Sequence, residues 1–174
     1  VAFIGRSNSG KSSSLNTITG IKGLARTSST PGRTQMMNFF DLGQNCRLVD
    51  LPGYGYAKVP KPIKEKWQRA TNAYLETRQC LRGLILVMDV RHPLKELDWE
   101  ILNWTAEWDL PCHILLTKAD KLKPNKAQQA KQQVVTELEL YNLISVDVFS
   151  SQNKLGLSQV LTVLDAWFSA DSAC

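Results

Sequence analysis

Short apolar runs alternate along the chain with stretches whose apolar residues return every three or four positions, the two periods of strands and amphipathic helices. Val1–Ile4, Cys46–Val49, Leu84–Met88, His113–Leu116 and Val146–Phe149 are short, apolar and rich in β-branched or aromatic residues, which predicts strands. Helices are predicted near 11–19, 62–79, 94–108, 125–141 and 157–168. Pro62, Pro93 and Pro124 sit at or just before a first helical turn, where the missing N–H costs nothing. In the last helix Leu157, Val160, Leu161, Leu164 and Phe168 mark one buried face. Asn38–Leu42, ahead of the turn Gly43-Gln44-Asn45, reads as an antiparallel hairpin strand. Alternation of this kind predicts an α/β fold, a mostly parallel sheet with helices on both faces. Residues 23–37 and 51–61 break the pattern with Gly, Pro, Ser, Thr and basic side chains, and long loops inside a compact domain are usually functional.

At 174 residues the chain is expected to form one domain, 1–174, with a substantial core. Its 43% hydrophobic and 21% charged residues exclude a disordered or collagen-like polymer, and its longest apolar runs are too short to span a bilayer. Cys46, Cys80, Cys112 and Cys174 are scattered with no CxxC pair, as expected of reduced thiols in the cytoplasm rather than a zinc or disulfide framework, and no membrane partner is expected. The chain begins inside a strand, so the natural protein is expected to continue upstream. Charge is uneven: residues 1–80 carry 12 Lys and Arg against 4 Asp and Glu, whereas residues 81–174 carry 9 against 12. That asymmetry points to a polyanion on one face, with an unevenly solubilised surface as the plainer alternative.

The string Gly5-Arg6-Ser7-Asn8-Ser9-Gly10-Lys11-Ser12 fits G-x-x-x-x-G-K-[ST] between a predicted strand and a predicted helix. Glycines let the backbone wrap a phosphate so that several N–H groups and a helix N-terminus converge on one anion. Lys11 would reach the β- and γ-phosphates and Ser12 would coordinate Mg²⁺. Asp50-Leu51-Pro52-Gly53 follows a strand as D-x-x-G; Asp50 can hold Mg²⁺ through water, and the Gly53 amide can sense a γ-phosphate. Thr117-Lys118-Ala119-Asp120 follows the strand near 113–116. The Asp120 carboxylate matches guanine N1–H and N2–H₂, whereas adenine would leave it unpaired at a cost of about 10⁴ in selectivity. The Lys118 stem could cover the base, and backbone N–H groups of Ser150-Ser151 could meet guanine O6. An ATPase or small-molecule kinase is disfavoured by Asp120 and by the lack of an Arg-rich lid.

These residues resemble a translation-factor-type GTPase, and more closely the EngB/YihA family of bacterial ribosome-biogenesis GTP-binding proteins. GRSNSGKS at Gly5–Ser12, TPGRTQ at Thr30–Gln35, DLPGYGYA at Asp50–Ala57, MDVRHPLK at Met88–Lys95 and LLTKADKL at Leu115–Leu122 carry the likeness in family order. The resemblance implies a Ras-like P-loop G domain, six-stranded with one antiparallel edge strand. It implies a G domain that helps mature the large ribosomal subunit and is tied to normal septation; with it the chain is read as a GTPase switch, expected to be a monomer, that meets the subunit precursor and its rRNA through the basic surface near the switches. Carried over by position, Gly32, Arg33, Thr34 and Gln35 belong to switch I, with Thr34 a second Mg²⁺ ligand in the GTP state; residues alone do not separate Thr34 from Thr27 or Thr30. Residues 51–61 would be switch II. The nucleotide-binding set then also takes in Ser13 and Phe149, and Lys11, Thr34 and Gly53 are the residues expected to act on the γ-phosphate. The usual guanine-reading motif has Asn where this chain has Thr117, as the family also does.

Ras-type enzymes place a water-orienting Gln after D-x-x-G, where this chain has Tyr54, so slow intrinsic hydrolysis and a stimulating partner or ion are expected. Asn8 stands where related GTPases bind K⁺, although an Asn in a tight loop also serves left-handed backbone. Arg33 is read as an RNA contact rather than a finger, and His92 and the helically spaced Trp99, Trp104 and Trp108 as structural. Lys58, Lys61, Lys64, Lys66 and Arg69 form either a solvated helix face or an RNA-phosphate surface beside switch II. The competing functional reading is an rRNA-binding assembly module in which GTP or GDP occupancy is only a sensor.

Overall fold

A computed structural model of the chain describes residues 1–25, 36–55, 69, 71, 73–75, 77, 78 and 80–170. Each apolar run of the sequence becomes a strand: β1 (Ala2–Gly5), β2 (Asn38–Gly43), β3 (Cys46–Asp50), β4 (Leu84–Asp89), β5 (Cys112–Thr117) and β6 (Ile144–Val148). The helices are α1 (Lys11–Thr19), α2 (Glu96–Glu107), α3 (Pro124–Glu137) and α4 (Leu157–Ser169), with a 3₁₀ turn at Ala119–Lys121. Of the helix expected at 62–79, the described residues Arg69, Thr71, Ala73, Tyr74, Leu75 and Thr77 are helical.

The strands form one sheet in the order β2-β3-β1-β4-β5-β6. β1 pairs in parallel with β3 and β4, and β4, β5 and β6 continue in parallel. β2 runs antiparallel to β3, with Asn38 opposite Asp50, so the expected edge hairpin is present. The expected architecture, six strands with a single antiparallel edge pair, is the observed one.

Alternation along each central strand feeds two cores, one per sheet face. Ala2, Ile4, Leu84, Leu86, Met88, Ile114 and Leu116 pack with Leu75, Leu102 of α2 and Ala127 and Val134 of α3. Phe3, Ile85, Val87 and Leu115 face the other way, onto Leu15 and Ile18 of α1 and Val160 and Leu164 of α4. Burial on both faces is why β4 and β5 read as near-continuous apolar runs, Leu84–Met88 and Ile114–Leu116. Because β1, β3, β4, β5 and β6 are parallel, their carboxyl ends share one edge, the edge on which open α/β sheets bind ligands.

One helix start differs from expectation. Leu94, after Pro93, adopts a left-handed backbone (φ 52°), so α2 begins at Glu96 rather than 94, and Asp98 Oδ2 accepts the Lys95 backbone N–H at 2.8 Å. Trp99 and Trp104 are half-buried against the first core, while Trp108 is 56% exposed and stacks near Trp104, so this trio packs at an edge.

His113, on β5, is the one imidazole inside a core among the described residues. Its Nδ1 lies 2.7 Å from Ser145 Oγ on β6, and burial pushes its pKa from 6.5 down to about 4. The unfolded chain therefore takes up a proton between these values that the folded chain refuses, so stability falls as pH drops from 6.5 to about 4. Urea unfolding followed across that window should show His113→Gln with a shallower acid decline than the parent chain; equal slopes would show that His113 does not carry it.

Candidate functional site

The loop leaving β1 is shaped by backbone rather than by side chains. A Cβ on Gly5 would lie 2.5 Å from the Val87 carbonyl, so nothing larger than glycine fits beside β4. Gly10 has φ 96° and Asn8 φ 62°, both left-handed, and between them the chain curls until the Ser9 N–H reaches the Arg6 carbonyl at 3.0 Å. Asn8 is exposed, and its conformation accounts for the choice of Asn at that point. The curl ends at α1, whose first turn, Lys11 to Ser13, leaves backbone N–H groups without helical acceptors. The whole is an anion cradle.

Lys11 is only 7% exposed, and its ammonium pairs with Asp50, itself 2% exposed at the end of β3. Two charges withdrawn from water hold each other, while the Ser9 hydroxyl, also buried, has no hydrogen-bond partner among the described residues. These residues fit a magnesium-bound phosphate chain: Lys11 would turn to phosphate oxygens, and the Ser12 hydroxyl and Asp50 carboxylate are hard oxygen donors suited to Mg²⁺.

The loop after β5 is tied directly to this cradle. Thr117 Oγ1 lies between the carbonyls of Ser9 and Met88, donating toward Ser9 and 3.0 Å from Met88. Lys118, left-handed at φ 58°, sends its ammonium to the Asn8 carbonyl at 2.6 Å and to Asp89 at 3.0 Å. Burial would push the Asp89 carboxyl up, but hydrogen bonds from Arg91 and Lys118 outweigh it and hold it well below the usual carboxylate range. Asp120 follows, with Ser150 Oγ donating to Oδ1 at 2.7 Å; that bond lowers its pKa, so it stays an ionised acceptor.

Several expected contacts take another form. Thr117 directs its hydroxyl to the cradle. The Ser150 N–H, expected at guanine O6, donates to the Leu155 carbonyl at 3.0 Å, and Ser150 meets the site through its hydroxyl instead. Leu51 and Phe149 are fully buried, Phe149 in the second core, so their side chains belong to the interior. Phe149 contributes through its carbonyl, which accepts the Ala119 N–H at 3.1 Å and fixes the turn carrying Asp120. Pro52 and Gly53 are buried, and Ser151 is half-buried beside Ser150. Gly32, Arg33, Thr34 and Gln35, expected in switch I, and Lys58, Lys61, Lys64 and Lys66, expected on a basic face, lie outside the described residues.

Tyr54, after Gly53, is zipped to the cradle: its N–H donates to the Gly5 carbonyl at 3.2 Å, and its carbonyl accepts the Ser7 N–H at 2.9 Å. Its phenol donates to Asp98 Oδ1 at 2.5 Å; burial first, and then the charge of Asp98, push its pKa far up and keep the proton in place. Asp98 escaped the sequence reading. Its signal was an acid set among Leu97, Trp99, Ile101 and Leu102, on a face that buries apolar residues. His92 is exposed and meets the site only through its carbonyl, an acceptor for Arg6.

Among the described residues no helix is long and apolar enough to cross a membrane, and no three His, Cys, Asp or Glu side chains cluster as a metal site. Cys46, Cys80 and Cys112 are free thiols.

Comparison with known proteins gives concordant results. The family model for 50S ribosome-binding GTPases matches residues 1–118. A probable GTP-binding protein EngB of Coxiella burnetii (strain CbuK_Q154) is 55% identical over 172 residues, covering 98% of this chain and 84% of that protein. Its counterpart from Haemophilus influenzae (strain PittGG) is 51% identical over 170 residues, covering 97% of this chain and 83% of the relative. The crystal structure of a probable GTP-binding protein engB superposes with a TM-score of 0.77 at 20% identity, covering 98% of each chain.

Proposed function

The chain belongs to the EngB family of GTP-binding proteins, and from that premise we propose that it is a GTP-operated switch, with slow intrinsic hydrolysis, in the assembly of the large ribosomal subunit. The observation that carries the nucleotide reading is the tie between its two loops: Thr117 reaches Ser9, and Lys118 reaches Asn8. The carboxyl ends of β1 and β5 are separated only by β4, so at roughly 5 Å per strand the phosphate cradle and the Asp120 carboxylate lie within the span of one mononucleotide.

In this reading the P-loop N–H groups and Lys11 bind the phosphates, and Lys118 covers the base while Asp120 takes its N1–H and N2–H₂. Ser12 and Asp50, the latter through water, hold Mg²⁺, joined by Thr34 in the GTP state; the ion, when bound, neutralises charge on the phosphate oxygens. Gly53 offers its N–H to the γ-phosphate. Positioning and charge neutralisation are what a loose phosphoryl transfer requires. The water-orienting side chain is the missing part, because the Tyr54 hydroxyl is donated to Asp98. Hydrolysis therefore waits on a partner or on a potassium ion at Asn8. That partner is a large-subunit precursor, met through rRNA by the basic first half of the chain, which includes Arg33 and Lys58 to Arg69. GTP favours the bound state and hydrolysis releases it, and the activity is linked to normal septation. The protein works as a cytoplasmic monomer.

Two measurements test this. Asp120→Asn should lower GTP affinity on the order of 10⁴-fold and shift preference toward xanthine nucleotides, read by nucleotide competition; retained GTP preference would remove Asp120 from the base pocket. Single-turnover GTP hydrolysis should rise roughly tenfold or more with purified large-subunit precursor particles. No stimulation would favour the sensor reading, and equal rates in potassium and sodium chloride would dismiss the ion at Asn8.

A further inference from the structure

The carboxylate of Asp98, in the first turn of α2, is completely buried (0% exposed) yet lies outside the phosphate cradle and the base pocket. A carboxylate without water must be met by donors or by an opposite charge; two segments supply hydrogen-bond donors and a third supplies a guanidinium as ion-pair partner. Oδ1 accepts the Tyr54 phenol at 2.5 Å; Oδ2 accepts the Lys95 N–H at 2.8 Å and lies 3.4 Å from Arg6 Nε. The Arg6 guanidinium in turn donates to the His92 carbonyl, on the approach to α2. One buried charge thus joins the second residue of the phosphate loop, the residue after D-x-x-G and the start of α2.

Helix capping accounts for the bond to Lys95 and for nothing else. An acid three residues after an N-cap closes the cap from the helix surface, with its second oxygen in water. Here the second oxygen holds a phenol from 44 positions upstream, and a P-loop arginine balances the charge.

The consequence falls on Gly53. Upstream of it the Leu51 N–H is bonded to the Phe3 carbonyl at 3.0 Å. Downstream Tyr54 is held by both backbone groups, at Gly5 and Ser7, and by its side chain, at Asp98. The Gly53 peptide is therefore fixed from both sides before any ligand arrives. We infer that Asp98 is a positioning residue that preorganises the D-x-x-G turn, and so raises the affinity for a nucleoside triphosphate relative to that for a diphosphate. The inference rests on the nucleotide reading above and refines it. A diphosphate asks nothing of the Gly53 N–H; a triphosphate meets it. Losing the clamp makes the triphosphate alone bear the cost of ordering the turn.

The test is equilibrium binding of GDP and of a non-hydrolysable GTP analogue to the parent chain, to Tyr54→Phe and to Asp98→Asn, with thermal melting in parallel. Tyr54→Phe removes a single hydroxyl and keeps the buried ring, so it remains informative should Asp98→Asn fail to fold. Affinity for the triphosphate analogue should fall about three- to tenfold, the worth of one such hydrogen bond, with GDP affinity within about twofold. The double variant should lose no more than the larger single loss, because both act through one bond. Equal losses for the two nucleotides, or a lowered melting temperature with the affinity ratio unmoved, would reduce Asp98 to a purely structural acid and overturn the inference. Failure of the parent chain to bind guanine nucleotides would overturn the nucleotide reading itself, and this inference with it.

Discussion

Lys11 and Asp50 face each other at the carboxyl edge of the sheet, each nearly sealed from water, and the rest of the site is organised around that pair. Burying opposite charges costs several kcal/mol per ion, a cost offset only when geometry and further hydrogen bonds are favourable. Under the proposed function that pair, at the edge where open α/β sheets bind ligands, awaits a ligand with charge of both signs. A phosphate chain with a divalent cation supplies both: anionic oxygens for the lysine and a hard cation for the carboxylate. The neighbouring Ser9 hydroxyl, buried without a partner among the described residues, and the left-handed turn at Gly10 belong to the same arrangement.

The sheet makes this local feature specific. Parallel strands bring every carboxyl end to one edge, so the cradle after β1, the acid after β3 and the loop after β5 become neighbours with no long-range design beyond strand order. Side-chain bonds then join what the strands bring near. Thr117 and Lys118 hold the loop after β5 to the loop after β1, and Ser150 holds the Asp120 carboxylate in place. Preorganised polar groups of this kind lose little freedom on binding and leave an ill-matched base with unpaired partners.

What could be read from the sequence follows from how local each requirement is. A strand buried on both faces is apolar at most positions, so β4 and β5 are plain in the sequence, and the motif at Gly5 to Ser12 needs its residue types within eight consecutive positions. Bonds that close over long separations leave no such trace. The Thr117 hydroxyl bonds Ser9 across 108 positions, and Tyr54 finds Asp98 across 44. The hydroxyl role of Ser150 was likewise hidden, because a serine after a strand offers backbone and side chain alike. The start of α2 was misjudged because Pro93 is a sound helix-start signal, but the left-handed Leu94 that follows delays the helix by two residues.

The central claim is that one guanine nucleotide spans both loops at once, with Lys11 released from Asp50 to meet it. A crystal structure of the chain with GDP and magnesium tests it most directly. The account predicts phosphate density within the Gly5–Ser12 turn, the purine edge on Asp120, and the Lys11 ammonium moved from Asp50 to phosphate oxygens. A nucleotide bound elsewhere, or phosphates in the turn with the base away from Asp120 and the Lys11–Asp50 pair intact, would contradict it.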